Sequence, residues 1–273
     1  MKASKRFRTP AQPRFKDADA SATPLCAGDD DGQGAKHDKA EAKRLHNTIA
    51  ELQEKLYAER NRKVLIVLQG VDCSGKDGTV HQLFRKINPM GLDAVRFDVP
   101  NAEDVAHDYL WRVHRHVPPN GQIAVFNRSH YEDVLHPFVY GQLDPAALSQ
   151  RYAQIRDFER MLAETGTTIL KIFLHISKDE QRARLQARID NPEKHWKFDP
   201  ADLKHRERWD DFHRAYEKAI AETDTPHAPW YIVPADSKPH RDLAVATLLV
   251  EALQDMDLRW PPGDAKLAKL RVR

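Results

Sequence analysis

The run Gly70-Val71-Asp72-Cys73-Ser74-Gly75-Lys76-Asp77-Gly78 sets two glycines five positions apart, with a lysine directly after the second. That spacing suits a phosphate cradle, in which backbone N–H groups and a helix N-terminus supply a fixed positive field and Lys76 adds a point charge at the transferring group. Gly70, Gly75 and Gly78 allow close approach of the backbone, and Ser74 lies inside the loop. The usual pattern ends in Ser or Thr, whose hydroxyl holds magnesium; here Asp77 occupies that place and a second acid, Asp72, sits within the loop. Carboxylates beside phosphate repel it unless a cation intervenes, so the pattern predicts a magnesium ion held partly by Asp72. Asp77 alternatively caps the following helix. A glycine-rich turn with one exposed lysine is the plainer reading, and a strand before the loop with a helix after it argues against that.

A second polar cluster, Asn127-Arg128-Ser129-His130-Tyr131-Glu132-Asp133, ends another apolar run. Arg128 is suited to clamp phosphate oxygens in bidentate fashion, while Glu132 and Asp133 are suited to hold a metal or orient an acceptor. Ser129 and Glu132 also fit a capping box that needs no chemistry. A third region, Arg182 to Arg208, carries Arg184, Arg188, Lys194, Lys197, Lys204 and Arg206, with Arg184 and Arg188 one helical turn apart. Embracing a polyanion is one reading of this track; the acids interspersed in it equally fit an ordinary solvated face. Trp111, Trp209 and Trp230 read as packing anchors, whereas Trp196, in a polar loop, is placed to contact a nucleobase. Fourteen histidines show no zinc-binding spacing.

The elements that must position these residues follow from short β-branched runs at Lys63–Gln69, Ala94–Val99, Gln122–Asn127, Thr168–Ile176 and Trp230–Ala235, separated by segments of helical periodicity. Such alternation predicts an α/β fold with a parallel five-stranded sheet, right-handed crossovers and ligand groups at the carboxyl ends of the strands. An amphipathic helix is expected over Lys39–Arg60. Helical patterns over Lys178–Ile189 and Ala201–Ala221, joined by the polar stretch Asp190–Asp202, predict a hairpin that serves as a lid over about 178–222. Residues 1–38 read as a disordered or loosely docked tail, 39–260 as one phosphotransferase domain, and 261–273 as a C-terminal tail. The 43 Lys and Arg nearly balance 41 Asp and Glu, so the net charge of +2 gives no bulk attraction to nucleic acid. The apolar run Val64–Leu68 is too short to span a membrane, and the placement of Cys26 and Cys73 suggests no disulfide, which fits the cytoplasm.

Together with Phe126-Asn-Arg-Ser-His-Tyr-Glu-Asp-Val-Leu135, the glycine loop resembles polyphosphate kinase family 2. The segments Ala187–Phe198, Ala228–Lys238 and Arg241–Leu243 resemble that family's lid and closing strand in matching order, and the likeness spans about Lys39 to Asp257. The resemblance implies a three-layer, thymidylate-kinase-like P-loop kinase fold in which inorganic polyphosphate donates its terminal phosphoryl group to a nucleotide, with Mg2+, in a homo-oligomer (dimer or tetramer). On that footing Asp72 and Lys76 occupy the phosphate-loop positions, Arg128 the second motif, and Arg182, Arg188, Lys194 and Lys197 the cationic lid. Many relatives have aspartate where Asn127 stands, which passes the metal-ligand role expected there to Glu132. The form of the second motif resembles the branch acting on nucleoside mono- and diphosphates, so AMP and ADP are the expected acceptors, giving ADP and ATP. A nucleotide phosphate is already ionised at neutral pH, so no general base is required. Two rivals share the loop: an ATP-dependent nucleoside monophosphate kinase, against which the basic lid argues, and a non-catalytic nucleotide-binding module, against which Asp72 argues.

Overall fold

Five strands form one parallel sheet in the order β2-β3-β1-β4-β5, with β1 Lys63–Gln69, β2 Leu92–Arg96, β3 Ile123–Asn127, β4 Thr167–His175 and β5 Trp230–Pro234. The structure is a computed structural model that describes residues 1–26, 33–264, 266–267 and 270–272. Parts of both expected tails, at 27–32, 265, 268–269 and 273, lie outside the described residues. The central strand β1 is hydrogen-bonded on both sides, and Val64 through Leu68 expose no surface, which is why it reads as an unbroken apolar run. Strand β2 falls slightly earlier than expected, because its pairing ends where Arg96 meets Asn127, the last residue of β3. Register also sets Leu68 beside Asn127, so β1 and β3 finish side by side and release the glycine loop and the Arg128 cluster together at the carboxyl ends of the strands.

The helices are α1 (Ala3–Arg6), α2 (Asp17–Ala20), α3 (Gly34–Glu59), α4 (Lys76–Phe84), α5 (Ala102–Ala106), α6 (Trp111–His114), α7 (Glu132–Val139), α8 (Pro145–Glu164), α9 (Lys178–Ile189), α10 (Ala201–Glu207), α11 (Trp209–Thr223) and α12 (Lys238–Asp255). One group, α3, α4 and α12, packs together; a second, α7, α8 and α11, packs together; and both groups contact the sheet, giving three layers. The expected lid helix over Ala201–Ala221 is broken at Arg208, whose guanidinium donates to the Val139 carbonyl at 2.8 Å, and the break separates α10 from α11. No helix among the described residues is long and apolar enough to cross a membrane.

A buried polar network braces the sheet under the second cluster. Lys171 of β4 donates to Glu159 of α8 at 2.5 Å, to the Thr223 carbonyl at 2.7 Å and to the Tyr131 hydroxyl at 3.0 Å. The Tyr131 hydroxyl donates in turn to Glu159 at 2.8 Å. Such a pair survives away from water because its remaining polar atoms are also satisfied.

Residues 1–26, expected as part of a disordered or loosely docked tail, lie docked on the domain. The Ile232 N–H donates to the Phe7 carbonyl at 2.8 Å and the Thr9 N–H to the Trp230 carbonyl at 3.1 Å, so an antiparallel bridge covers the open edge of β5. Arg8 pairs with Asp224, Phe7 is buried, and Phe15 stacks on Phe173 with ring centroids 4.4 Å apart. The segment lacks periodicity because it is held by single anchors rather than by a continuous face. Phe7→Ala should lower unfolding free energy by about 3–5 kcal/mol in urea denaturation, and a change under about 0.5 kcal/mol, the range of ordinary surface substitutions, would show that the segment is not part of the folded unit.

Candidate active site

Gly75 is the residue before α4 and has φ 101°, a conformation that favours glycine, and a Cβ there would also displace the Arg241 guanidinium, whose Nη1 would lie 2.0 Å away. A Cβ at Gly70 would meet Ser74 Oγ at 2.6 Å and the Leu174 carbonyl at 2.7 Å. Between them the loop folds on itself: the Ser74 N–H donates to the Val71 carbonyl at 3.1 Å, and Ser74 Oγ is buried without a hydrogen-bond partner. Lys76 begins α4 and is buried, its ammonium donating to the carbonyls of Gly70 at 2.6 Å and Val71 at 3.3 Å. Burial lowers its pKa and the Arg128 charge acts the same way, against the pull of Asp72 and Glu132. Asp77 lies in the first turn of α4 together with Gly78, not at the cap, and accepts a hydrogen bond from Asn127 Nδ2, tying β3 to the loop helix.

Asp72 is the meeting point of three segments. Its Oδ1 accepts from Arg128 Nη2 at 2.8 Å and its Oδ2 faces His205 Nδ1 at 2.7 Å, joining the glycine loop, the end of β3 and the lid helix α10. Burial acts to raise the Asp72 pKa, but the His205 hydrogen bond and the charges of Arg128 and Lys76 hold it well below the usual carboxylate range. The same hydrogen bond raises the His205 pKa despite burial. Arg128 adopts a left-handed backbone, φ 62°, with its N–H donating to the Leu68 carbonyl at 3.0 Å. A non-glycine residue held there costs on the order of 1–3 kcal/mol, so the turn must be enforced by its surroundings.

Glu132 shares a cleft with Gly70, Asp72, Arg128 and His205 and lies 3.4 Å from His136. Burial would raise its pKa, but the His136 hydrogen bond and the Arg128 charge keep it low and ionised. The capping box is not formed: α7 starts at Glu132 after Tyr131, and Ser129 Oγ instead accepts from the Tyr131 N–H at 3.2 Å and from Gln69 Nε2 at 3.1 Å. Asp133 is turned to Arg112 at 3.1 Å rather than lining the cleft, and burial raises its pKa.

The lid splits the expected basic track by helical phase. Arg188 reaches inward, donating to the Lys197 carbonyl at 2.9 Å and to Asp202 at 3.2 Å. Arg182 is exposed and lies 3.6 Å from Asp179, Lys194 is exposed, and Lys197 sits 4.7 Å over the Trp196 ring. Trp196 is 78% exposed, and none of these four lines the cleft, because they face outward on α9 or sit on the 3-10 turn Pro192–Lys197 at the tip of the hairpin. Trp209 and Trp230 are buried anchors, and Trp111 is half-buried, stacked on His107 at 4.0 Å.

Sequence reasoning missed His205, Asp202 and Gln181, and it placed Arg184 in the basic track without its contact to the glycine loop. Gln181 Nε2 donates to the Asp72 carbonyl at 3.0 Å, and Asp202 lies close enough to Asp72 that burial and that charge push its pKa up to about 6. The available signal was phase: Gln181, Arg184, Leu185 and Arg188 recur at helical spacing on one face of α9, whereas Arg182 does not. Asp72, Asp202 and His205 bring one ligand atom each within 4.8 Å of one another, the group among the described residues placed to hold a metal ion. The carboxylates suit a hard divalent cation, with His205 orienting Asp72; Glu132, the ligand expected beside Asp72, stands outside that group and engages His136.

A family model described as Polyphosphate kinase 2 (PPK2) matches residues 33–261. The AMP/ADP-polyphosphate phosphotransferase of Meiothermus ruber is 50% identical over 228 residues, covering 84% of this chain and 85% of that protein. The ADP-polyphosphate phosphotransferase of Rhodopseudomonas palustris is 42% identical over 225 residues, covering 78% of each. The crystal structure of polyphosphate kinase 2 from Arthrobacter aurescens TC1 superposes with a TM-score of 0.93 at 40% identity, over 98% of this chain and 96% of that one. The match runs from before α3 to beyond α12 and so takes in the phosphate loop, the Arg128 turn and the lid as one unit: the chain belongs to the polyphosphate kinase 2 family.

Proposed function

We propose that the chain transfers the terminal phosphoryl group of inorganic polyphosphate to AMP and to ADP, giving ADP and ATP. The observation that carries this reading is the Asp72–Arg128 contact beside buried Lys76, which sets two cations and an acid around one phosphate loop. The name borne by the Meiothermus ruber relative supports the choice of both acceptors. The reading includes a cytoplasmic homo-oligomer.

Donor and acceptor are both polyanions, so the principal barrier is electrostatic, and catalysis consists of positioning plus neutralisation. Loop N–H groups and the α4 N-terminus would bind donor oxygens, with Lys76 beside the transferring group. Arg128, fixed by its left-handed turn, would neutralise charge spreading over the equatorial oxygens of a loose transition state. Asp72 and Asp202 would hold Mg2+, which offsets the repulsion between the two phosphate chains when bound. His205 and Gln181 bring α10 and α9 onto the loop, excluding water from it. No side chain need remove a proton, because the attacking phosphate oxygen is already ionised.

Purified protein incubated with Mg2+, long-chain polyphosphate and either AMP or ADP, without ATP, should form ADP and ATP by chromatography; no product from either acceptor would refute the reading. Lys76→Ala should lower kcat by about a hundredfold or more with the melting temperature retained. A rate near that of the parent protein would instead remove the cradle from the mechanism.

A further inference from the structure

Arg184 belongs to the basic track expected to embrace a polyanion, yet its side chain is only 9% exposed and every one of its donors is committed to protein. Nε donates to Glu180 at 2.7 Å. Nη1 donates to the carbonyls of Cys73 at 2.9 Å and Ser74 at 3.2 Å, and Nη2 to those of Ala235 at 2.7 Å and Asp236 at 2.9 Å. A guanidinium has five N–H groups in a fixed planar fork, and these five bonds use them all. The residue therefore spans the glycine loop and the turn between β5 and α12 with no donor left over for a phosphate.

The two loop carbonyls define peptide orientation. In a planar trans peptide the N–H points opposite to the C=O. With the Cys73 and Ser74 carbonyls both drawn to Arg184, the N–H groups of Ser74 and Gly75 are turned the other way, toward the inside of the loop. The Ser74 N–H is taken by the Val71 carbonyl at 3.1 Å, which confirms that direction. The Gly75 N–H lies directly before Lys76 and is turned the same way, where a donor phosphate oxygen would sit. Cys73 carries φ 66°, a left-handed conformation that a β-carbon disfavours, so the loop does not hold this arrangement by intrinsic preference.

Resting on the reading above, we propose that Arg184 is a positioning residue for phosphoryl transfer: it fixes the Ser74–Gly75 peptide so that the Gly75 N–H faces the donor phosphate, without touching substrate itself. Lysine cannot replace it, because one ammonium has three donors and no fork to span two pairs of carbonyls.

The test is Arg184→Gln and Arg184→Lys, each studied by titration calorimetry with inorganic tripolyphosphate and by steady-state kinetics with polyphosphate and ADP. Both variants should bind tripolyphosphate about tenfold or more weakly and lose about tenfold to a hundredfold in kcat/KM for polyphosphate, while KM for ADP stays within twofold and the circular dichroism spectrum at the assay temperature remains that of the folded protein. Unchanged tripolyphosphate affinity in a folded variant overturns the proposal. So does an equal loss for both substrates, which marks a general structural role, and so does full function in Arg184→Lys, which makes charge alone sufficient. If Arg184→Gln does not fold, the lysine variant decides. A wild-type protein that fails to bind tripolyphosphate would instead refute the cradle reading on which the proposal rests.

Discussion

The site depends on one carboxylate. Asp72 lies in the glycine loop, and its two oxygens are met by a guanidinium from the end of β3 and an imidazole from the lid. Adjacent parallel strands make this meeting available, because the register of β1 on β3 brings their exits together. The short contacts make it strong, since opposite charges in a partly dry cleft interact far more than exposed pairs do. Asp72 stays ionised even though burial opposes it, because the His205 hydrogen bond and the charges of Arg128 and Lys76 outweigh that cost.

Around that node the protein fixes backbone that would otherwise relax. Arg128 is held in a left-handed turn, and three residues later Tyr131 is anchored through its hydroxyl to Glu159 and Lys171 under the sheet. Removing one partner from such a buried pair costs about 3–5 kcal/mol, more than the roughly 1–3 kcal/mol of strain the turn must withstand. Arg184 does the equivalent for the glycine loop from behind. On the proposed function, the phosphate-facing side would thereby be left to backbone N–H groups, Lys76 and Arg128.

Much of this was legible in the residues. The five strands were readable because strands of a doubly covered parallel sheet carry unbroken apolar runs, as Val64–Leu68 does. The loop was readable because Gly70 and Gly75 mark positive-φ backbone that side-chain-bearing residues rarely adopt. What was not legible depends on tertiary contact. Arg182 and Arg184 are indistinguishable as residue types, but the turn of α9 sends one to solvent and the other under the loop. His205 looked like one histidine of fourteen in a charged helix, and only the break at Arg208 reveals a separate α10 that delivers it to Asp72. Residues 1–26 have no periodic pattern because they are held by a bridge to an open strand edge and by isolated aromatic anchors.

The most direct measurement of Asp72 as the node is the turnover of Asp72→Asn, which keeps the size of the side chain and removes its charge. A fall in kcat of about a hundredfold or more, in a variant that is still folded at the assay temperature by circular dichroism, is the predicted result. Turnover within threefold of the parent protein would contradict the account, because the loop, Arg128 and the lid would then be organised by something other than this carboxylate.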